Sequence, residues 1–186
     1  STRIALRYPL VEAATALLFA AIAWRIGPQP QALLWCAVVA TLLALALIDW
    51  DTTVLPDVLT LPLLWAGLLA AALGWLPGLT LMQSLGGVAA GYLSLWSVYW
   101  LFKLVTGKEG MGYGDFKLLG ALGAWLGWQA ILPIVLMASV IGAVIGLVMK
   151  AGGSLREGRF VPFGPFLAGG GLVVMLAGLP TVLGWM

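Results

Sequence analysis

The chain has 186 residues, of which 62% are hydrophobic and 9% charged, a formal net charge of +2 and a mean hydropathy of +1.08. These values argue against a soluble globular domain, and the small, scattered charge argues against a nucleic-acid binder. With no histidine and one cysteine, the chain also lacks the side chains for a Cys/His metal site or a Ser-His-Asp triad, so we expect neither a metal nor another cofactor.

Long apolar runs predict membrane-spanning helices, because about 20 apolar residues suffice to cross a bilayer as a helix. Four such runs lie near residues 9–26, 31–48, 58–76 and 84–102. The uncharged stretch 118–149 is too long for one span, and Gly127 and Pro133 divide it into a short fifth helix at about 116–128 and a sixth helix. A run at about 165–185 is the seventh. The sequence therefore predicts an all-α polytopic membrane protein with seven transmembrane helices, or six if the short fifth helix is absent.

The positive charges orient these spans, since lysine and arginine are retained on the cytoplasmic side of short loops. With seven spans and a cytoplasmic amino terminus, only Arg25 of the nine positive residues falls outside. The other eight are Arg3, Arg7, Lys103, Lys108, Lys117, Lys150, Arg156 and Arg159. We therefore expect the loops at about 49–57 and 103–117 to share the cytoplasmic face of one membrane-embedded domain, residues 1–186.

Five of the seven carboxylates fall in these two loops: Asp49, Asp51, Asp57, Glu109 and Asp115. Ionisable groups at or within a bilayer are costly and usually line a polar cavity or pathway. Glu109 is interpreted as a solvated loop charge, and Asp57, after Pro56, as a helix N-cap. Asp49 and Asp51 are two residues apart and cannot share a helix face, so we expect at most one of them to point into a site.

A glycine-rich segment precedes Asp115, with Gly112 and Gly114 separated by one residue. Glycine permits unusual backbone shapes and the close approach of another backbone, so an extended substrate could lie there. The alternative is that Asp115 is an N-cap and the glycines only form the turn. Spacing alone does not separate these two interpretations.

If Asp49 and Asp115 converge, their like charges disfavour simultaneous ionisation, and one carboxyl is expected to hold a proton. The ionised group can then activate a water molecule while the protonated one hydrogen-bonds a peptide carbonyl, as in an aspartic protease.

Several segments also resemble the bacterial type IV prepilin peptidases, a family of membrane-embedded aspartyl proteases. They are RYPLVE at 7–12, IDWD at 48–51, LPD at 55–57, KEGMGYGDFK at 108–117 and PFGPF at 162–166. The resemblance implies that Asp49 and Asp115 are the catalytic pair, with Asp51 as the competing choice in the first motif. Related peptidases often carry asparagine at the position of Asp57, which fits a capping role. The implied substrate-binding residues are Gly112 and Gly114.

The resemblance implies removal of the leader peptide from type IV prepilins or type II secretion pseudopilins, at the cytoplasmic face of the bacterial inner membrane. The partners would be these substrates and the lipid bilayer, with no nucleic acid. Many members begin with another span and a cytoplasmic region with two Cys-x-x-Cys pairs, linked to N-methylation. This chain starts where that region would end, so methyl transfer is not predicted for it.

Two other functions fit the clustered carboxylates. A Gly-x-Gly-Asp protease of the presenilin-like kind would act on another single-span membrane protein. A proton-coupled transporter would use membrane carboxylates to shuttle protons, although the sequence shows no inverted repeat. A purely structural assembly subunit would leave the carboxylates unexplained.

Overall fold

The computed structural model describes residues 6–108, 110–152 and 161–178, and these form seven α-helices and one 3₁₀ turn, with no strand among them. The prediction of an all-α protein with seven helices is confirmed. Arg3, Glu109, Arg156, Arg159 and the last part of the seventh predicted span lie outside the described residues. The helices are α1 (Arg7–Ile26), α2 (Pro30–Thr52), α3 (Asp57–Ala72), α4 (Leu81–Thr106), α5 (Tyr113–Leu126), α6 (Ile131–Ala151, after the 3₁₀ turn Trp128–Ala130) and α7 (Gly164–Ala177).

Four of the described helical segments are long and apolar enough to cross a membrane, as expected of a multi-pass membrane protein. They are α1, α2, α4, and the segment Trp128–Ala151 that combines the 3₁₀ turn with α6. Helices α3 and α7 are apolar but shorter. The predicted short fifth span is α5, whose 14 residues rise only about 21 Å.

Residue contacts divide the chain into two units, Ser1–Ala44 and Leu45–Met186. The first contains α1 and α2 up to Ala44. The second contains the end of α2 and all the later helices, and every candidate site residue predicted from the sequence belongs to it.

Helix α5 is the centre of the second unit, since every residue from Leu118 to Trp125 is buried. Its packing against α4 depends on small residues: Gly87 and Gly123 meet backbone to backbone with no room for a side chain on either. The Ser84 hydroxyl donates a hydrogen bond to the Ala124 carbonyl at 2.6 Å. Small residues and interhelical hydrogen bonds are the usual means of close helix packing in membranes.

The other side of α5 packs against α3. Trp125 of α5 is buried, and its indole N–H donates a hydrogen bond to the Leu63 carbonyl in α3 at 2.8 Å. Gly67 of α3 leaves the space that the Trp125 ring occupies. The bond satisfies the one polar atom of the indole, as burial of tryptophan requires.

An aromatic cluster joins the end of α4 to the start of α5. Tyr99 of α4 lies 5.3 Å from Tyr113 and 5.6 Å from Phe116 between ring centroids, and these two rings of α5 are 5.4 Å apart. The Lys103 ammonium donates a hydrogen bond to the Tyr99 hydroxyl at 3.2 Å. Since Ser84 at the other end of α4 contacts the end of α5, the two helices are antiparallel. The cluster therefore fixes the position of the first turn of α5.

Candidate active site

Asp49 lies in the last turn of α2 and is almost fully buried, with 4% of its surface exposed. Its Oδ2 atom accepts a hydrogen bond from the Gly164 backbone N–H at 3.0 Å. Gly164 is the first residue of α7, and the first N–H groups of a helix have no partner within it. The carboxyl group of Asp49 thus satisfies a free amide at the start of α7, and it lies at the positive end of the α7 dipole.

The contact between Asp49 and Gly164 requires glycine at position 164. A Cβ atom there would lie 2.6 Å from the Asp49 Oδ2 atom, closer than packed atoms approach, and 3.1 Å from the Leu55 Cδ1 atom. No functional role was predicted for Gly164, although it lies in the PFGPF segment at 162–166 that resembles the prepilin peptidases. Its sequence signal is its place directly before Pro165, since proline is typical of the first turn of a helix.

Asp115 lies in the first turn of α5 and is buried, with 6% of its surface exposed. The N-cap of this helix is Gly112, so the alternative interpretation of Asp115 as the cap is wrong. Asp115 stands three residues after the cap, its own N–H donates to the Gly112 carbonyl at 3.2 Å, and its carboxylate turns back toward the Gly112 backbone. The helix start therefore fixes this carboxylate as well.

The structure brings Asp49 and Asp115 together: their carboxylates are near enough for the charge of Asp49 to act on Asp115. Leu55, in the segment between α2 and α3, packs between Gly114, which precedes Asp115, and Gly164, whose amide binds Asp49. Its Cβ atom lies 2.7 Å from where a Cβ atom of Gly114 would stand, and its Cδ1 atom 3.1 Å from the same point on Gly164. Three segments distant in sequence thus converge on one pair of buried acids.

The other carboxylates of the cluster lie elsewhere. Asp51 is exposed, in contrast to Asp49 two residues before it. Asp57 is the first residue of α3 and follows the N-cap Pro56, so its predicted capping position is wrong. Its two carboxylate oxygens accept hydrogen bonds from the Lys117 ammonium at 2.7 and 2.8 Å instead. Glu109 is outside the described residues.

The two glycines of the loop differ in their surroundings. Gly112 is exposed, and the nearest atoms to an added Cβ would be the Gly114 nitrogen at 3.9 Å and the Asp115 Oδ2 atom at 4.0 Å. Gly114 is half-buried and packs against Leu55 of its own chain. Within the described ranges, no group of three or more cysteine, aspartate or glutamate side chains is arranged to hold a metal ion.

The model of the type IV leader peptidase family matches residues 36–147, which include both buried aspartates. Three curated bacterial proteins, each named prepilin leader peptidase/N-methyltransferase, are about half identical to the chain. They come from Pseudomonas putida (51% over 177 residues, 95% of this chain and 60% of the relative), Pseudomonas aeruginosa (53% over 172 residues, 92% and 59%) and Aeromonas hydrophila (50% over 175 residues, 94% and 60%).

The chain spans about 60% of the length of these curated relatives. No solved structure matches it significantly.

The Asp49–Gly164 contact predicts that Gly164→Ala is destabilising. Overpacking of this kind typically costs about 1–3 kcal/mol. The matched control is Gly169→Ala on the same helix, where an added Cβ would meet nothing within 4 Å. We expect a lower thermal unfolding midpoint in detergent for Gly164→Ala than for Gly169→Ala, and equal midpoints would contradict the packing described.

Proposed function

The chain belongs to the type IV leader peptidase family, and we propose that it is an aspartic endopeptidase that removes leader peptides from prepilins or type II secretion pseudopilins. The observation that carries this proposal is the convergence of two buried carboxylates, Asp49 and Asp115, at the ends of separate helices. Burial of two like charges is costly unless one is neutralised. A pair that shares one proton is the arrangement that acid–base hydrolysis of a peptide needs.

In the proposed mechanism one carboxyl of the pair is ionised and the other protonated. The ionised group takes a proton from a water molecule as its oxygen attacks the carbonyl carbon of the scissile bond. The protonated group donates a hydrogen bond to the carbonyl oxygen and stabilises the charge that develops there. Collapse of the tetrahedral intermediate breaks the C–N bond, and the leaving amine takes up a proton from the pair. The proposed steps use no metal or cofactor.

The proposed substrates have a short leader followed by a hydrophobic helix, which would lie in the bilayer beside the enzyme. The names of the relatives from Pseudomonas and Aeromonas support this substrate class. Gly112 is exposed beside Asp115, and we propose that it contacts the extended peptide through its backbone. Gly114 is proposed as a second backbone contact, on the side not covered by Leu55.

We propose that the active site faces the cytoplasm from the inner membrane and that residues 1–186 act as one peptidase domain. The ends of α4 and α6 and the start of α5 carry Lys103, Lys108, Lys150 and Lys117. These ends lie on the side of the aspartates: Tyr99 of α4 packs on Phe116, next to Asp115. Val161, three residues before Gly164, lies 3.8 Å from where a Cβ atom of Gly146, one turn before Lys150, would stand. A concentration of lysine at one end supports a cytoplasmic placement. Neither a proton-coupled transporter nor a protease for other single-span proteins gains support from the comparisons.

Substitution of either buried aspartate tests the catalytic pair. Asp49→Asn and Asp115→Asn should each lower kcat for cleavage of a prepilin in detergent by at least about a hundredfold, since each removes one member of the acid–base pair. The matched control is Asp51→Asn, which should retain most of the activity because Asp51 is exposed. Near-normal cleavage by either buried variant, or inactivity of Asp51→Asn equal to theirs, would contradict the assignment.

Cysteine labelling tests the proposed orientation, because Cys36 is the only cysteine in the chain. In a Cys36→Ala background, Val54→Cys and Pro77→Cys place exposed thiols beyond opposite ends of α3. A membrane-impermeant maleimide should label Val54→Cys in inside-out vesicles only and Pro77→Cys in right-side-out vesicles only. The reverse pattern would place the aspartates on the other face of the membrane.

A further inference from the structure

The ion pair between Asp57 and Lys117 joins two helices next to the catalytic pair without belonging to it. The Lys117 ammonium contacts both oxygens of Asp57, at 2.7 and 2.8 Å. Lys117 stands two residues after Asp115 on α5, and Asp57 stands two residues after Leu55 at the start of α3. Both partners therefore lie close in sequence to groups that build the active site.

The ion pair closes one end of the connecting segment 53–56. At the other end, the Thr53 N–H donates to the Asp49 carbonyl at 2.7 Å, so the segment begins directly at the residue that carries the first carboxylate. Thr53 adopts a positive φ of 56°, which is unusual for a residue other than glycine and turns the chain away from α2. The segment is thus tied to Asp49 at its start and to α5 at its end.

Between these two anchors Leu55 is buried, with 8% of its surface exposed. Its side chain touches Gly114, the residue before Asp115, and Gly164, whose amide binds Asp49. Any shift of the connecting segment would therefore move the Leu55 side chain, and with it the backbone next to Asp115 and the amide that binds Asp49.

The contribution of the Asp57–Lys117 ion pair to folding stability is too small to explain its presence at this position. The Lys117 and Asp57 side chains are 31% and 52% exposed, and ion pairs with this much access to water contribute little to folding. Its effect on the positions of the two aspartates is a stronger explanation, because small misplacements of catalytic groups have large effects on rate.

We propose that the Asp57–Lys117 ion pair is a positioning device: it ties α3 to α5 directly after the first turn of α5, seats Leu55 between Gly114 and Gly164, and so sets the separation of Asp115 from Asp49. This inference rests on the proposed peptidase function. Asp57 and Lys117 are positioning residues in it and do not contact the reacting atoms.

A double-mutant cycle tests the proposal. Asp57→Ala and Lys117→Met should each lower kcat for prepilin cleavage by about tenfold to a hundredfold, with KM changed by less than about twofold. The double variant should be no slower than the slower single variant, because both remove the same contact. Thermal unfolding midpoints in detergent should match that of the unmodified protein. The control is Lys150→Met, which removes an exposed lysine from the end of α6 and should leave kcat unchanged.

The sign of the change in kcat in each single variant distinguishes positioning from a through-space effect of charge. Asp57→Ala removes a negative charge and Lys117→Met a positive one, so a through-space effect on the catalytic pair would change their kcat values in opposite directions. Positioning predicts a loss in both. The conservative variant Asp57→Asn keeps an oxygen that accepts from Lys117, and it should recover most of the activity that Asp57→Ala loses.

The proposal would be overturned by unchanged kcat in both single variants, by kcat changes of opposite sign in the two, or by additive losses in the double variant. A rise in KM with unchanged kcat, or a loss of activity accompanied by a lower unfolding midpoint, would overturn it as well. The unmodified protein and Asp49→Asn belong in the same series. Absence of cleavage by the unmodified protein, or full cleavage by Asp49→Asn, would reject the peptidase function together with this inference. Normal cleavage that depends on Asp49 but not on the ion pair would reject the inference alone.

Discussion

The hydrogen bond from the Gly164 amide to the Asp49 carboxylate is the interaction on which the site depends. A carboxylate at the edge of a membrane needs hydrogen-bond donors in place of water. The free backbone amides at the start of a helix are such donors, and they require no polar side chain. This hydrogen bond requires the start of α7 to lie beside the end of α2. It also requires a residue without a side chain at the contact, because a Cβ atom on Gly164 would displace the carboxylate.

The same constraint explains the arrangement of the other helices. Asp115 lies at the start of α5, where it turns toward the Gly112 backbone, and α5 can reach this place because α3 and α4 enclose it closely through glycines such as Gly67 and Gly87. Leu55 then fills the space between the two helix starts. The two acids are therefore held by helix ends and one packed leucine, so the site is built largely from backbone.

The sequence predicted the helices well because lipid imposes long apolar runs and charged ends, which are local patterns. The uncharged stretch 118–149 divided at Gly127 as expected, although α5 begins at Tyr113, three residues before the predicted start, and so includes Asp115. Local patterns could not choose between Asp49 and Asp51, since spacing does not show which side of a helix end is buried. They also missed Gly164, which lies 115 residues from its partner, and misplaced the role of Asp57, whose partner is 60 residues away. The catalytic assignment of the pair came from motif resemblance and remains a prediction.

The most direct test of the catalytic pair is a structure of the protein bound to a prepilin peptide whose scissile bond is replaced by a hydroxyethylene group. Such a group mimics the tetrahedral intermediate and should bind tightly to a site that stabilises it. If the two buried aspartates form the catalytic pair, the hydroxyl of this group lies within hydrogen-bond distance of both the Asp49 and the Asp115 carboxyl groups. A hydroxyl that contacts Asp51, or only one of the two buried aspartates, would contradict it.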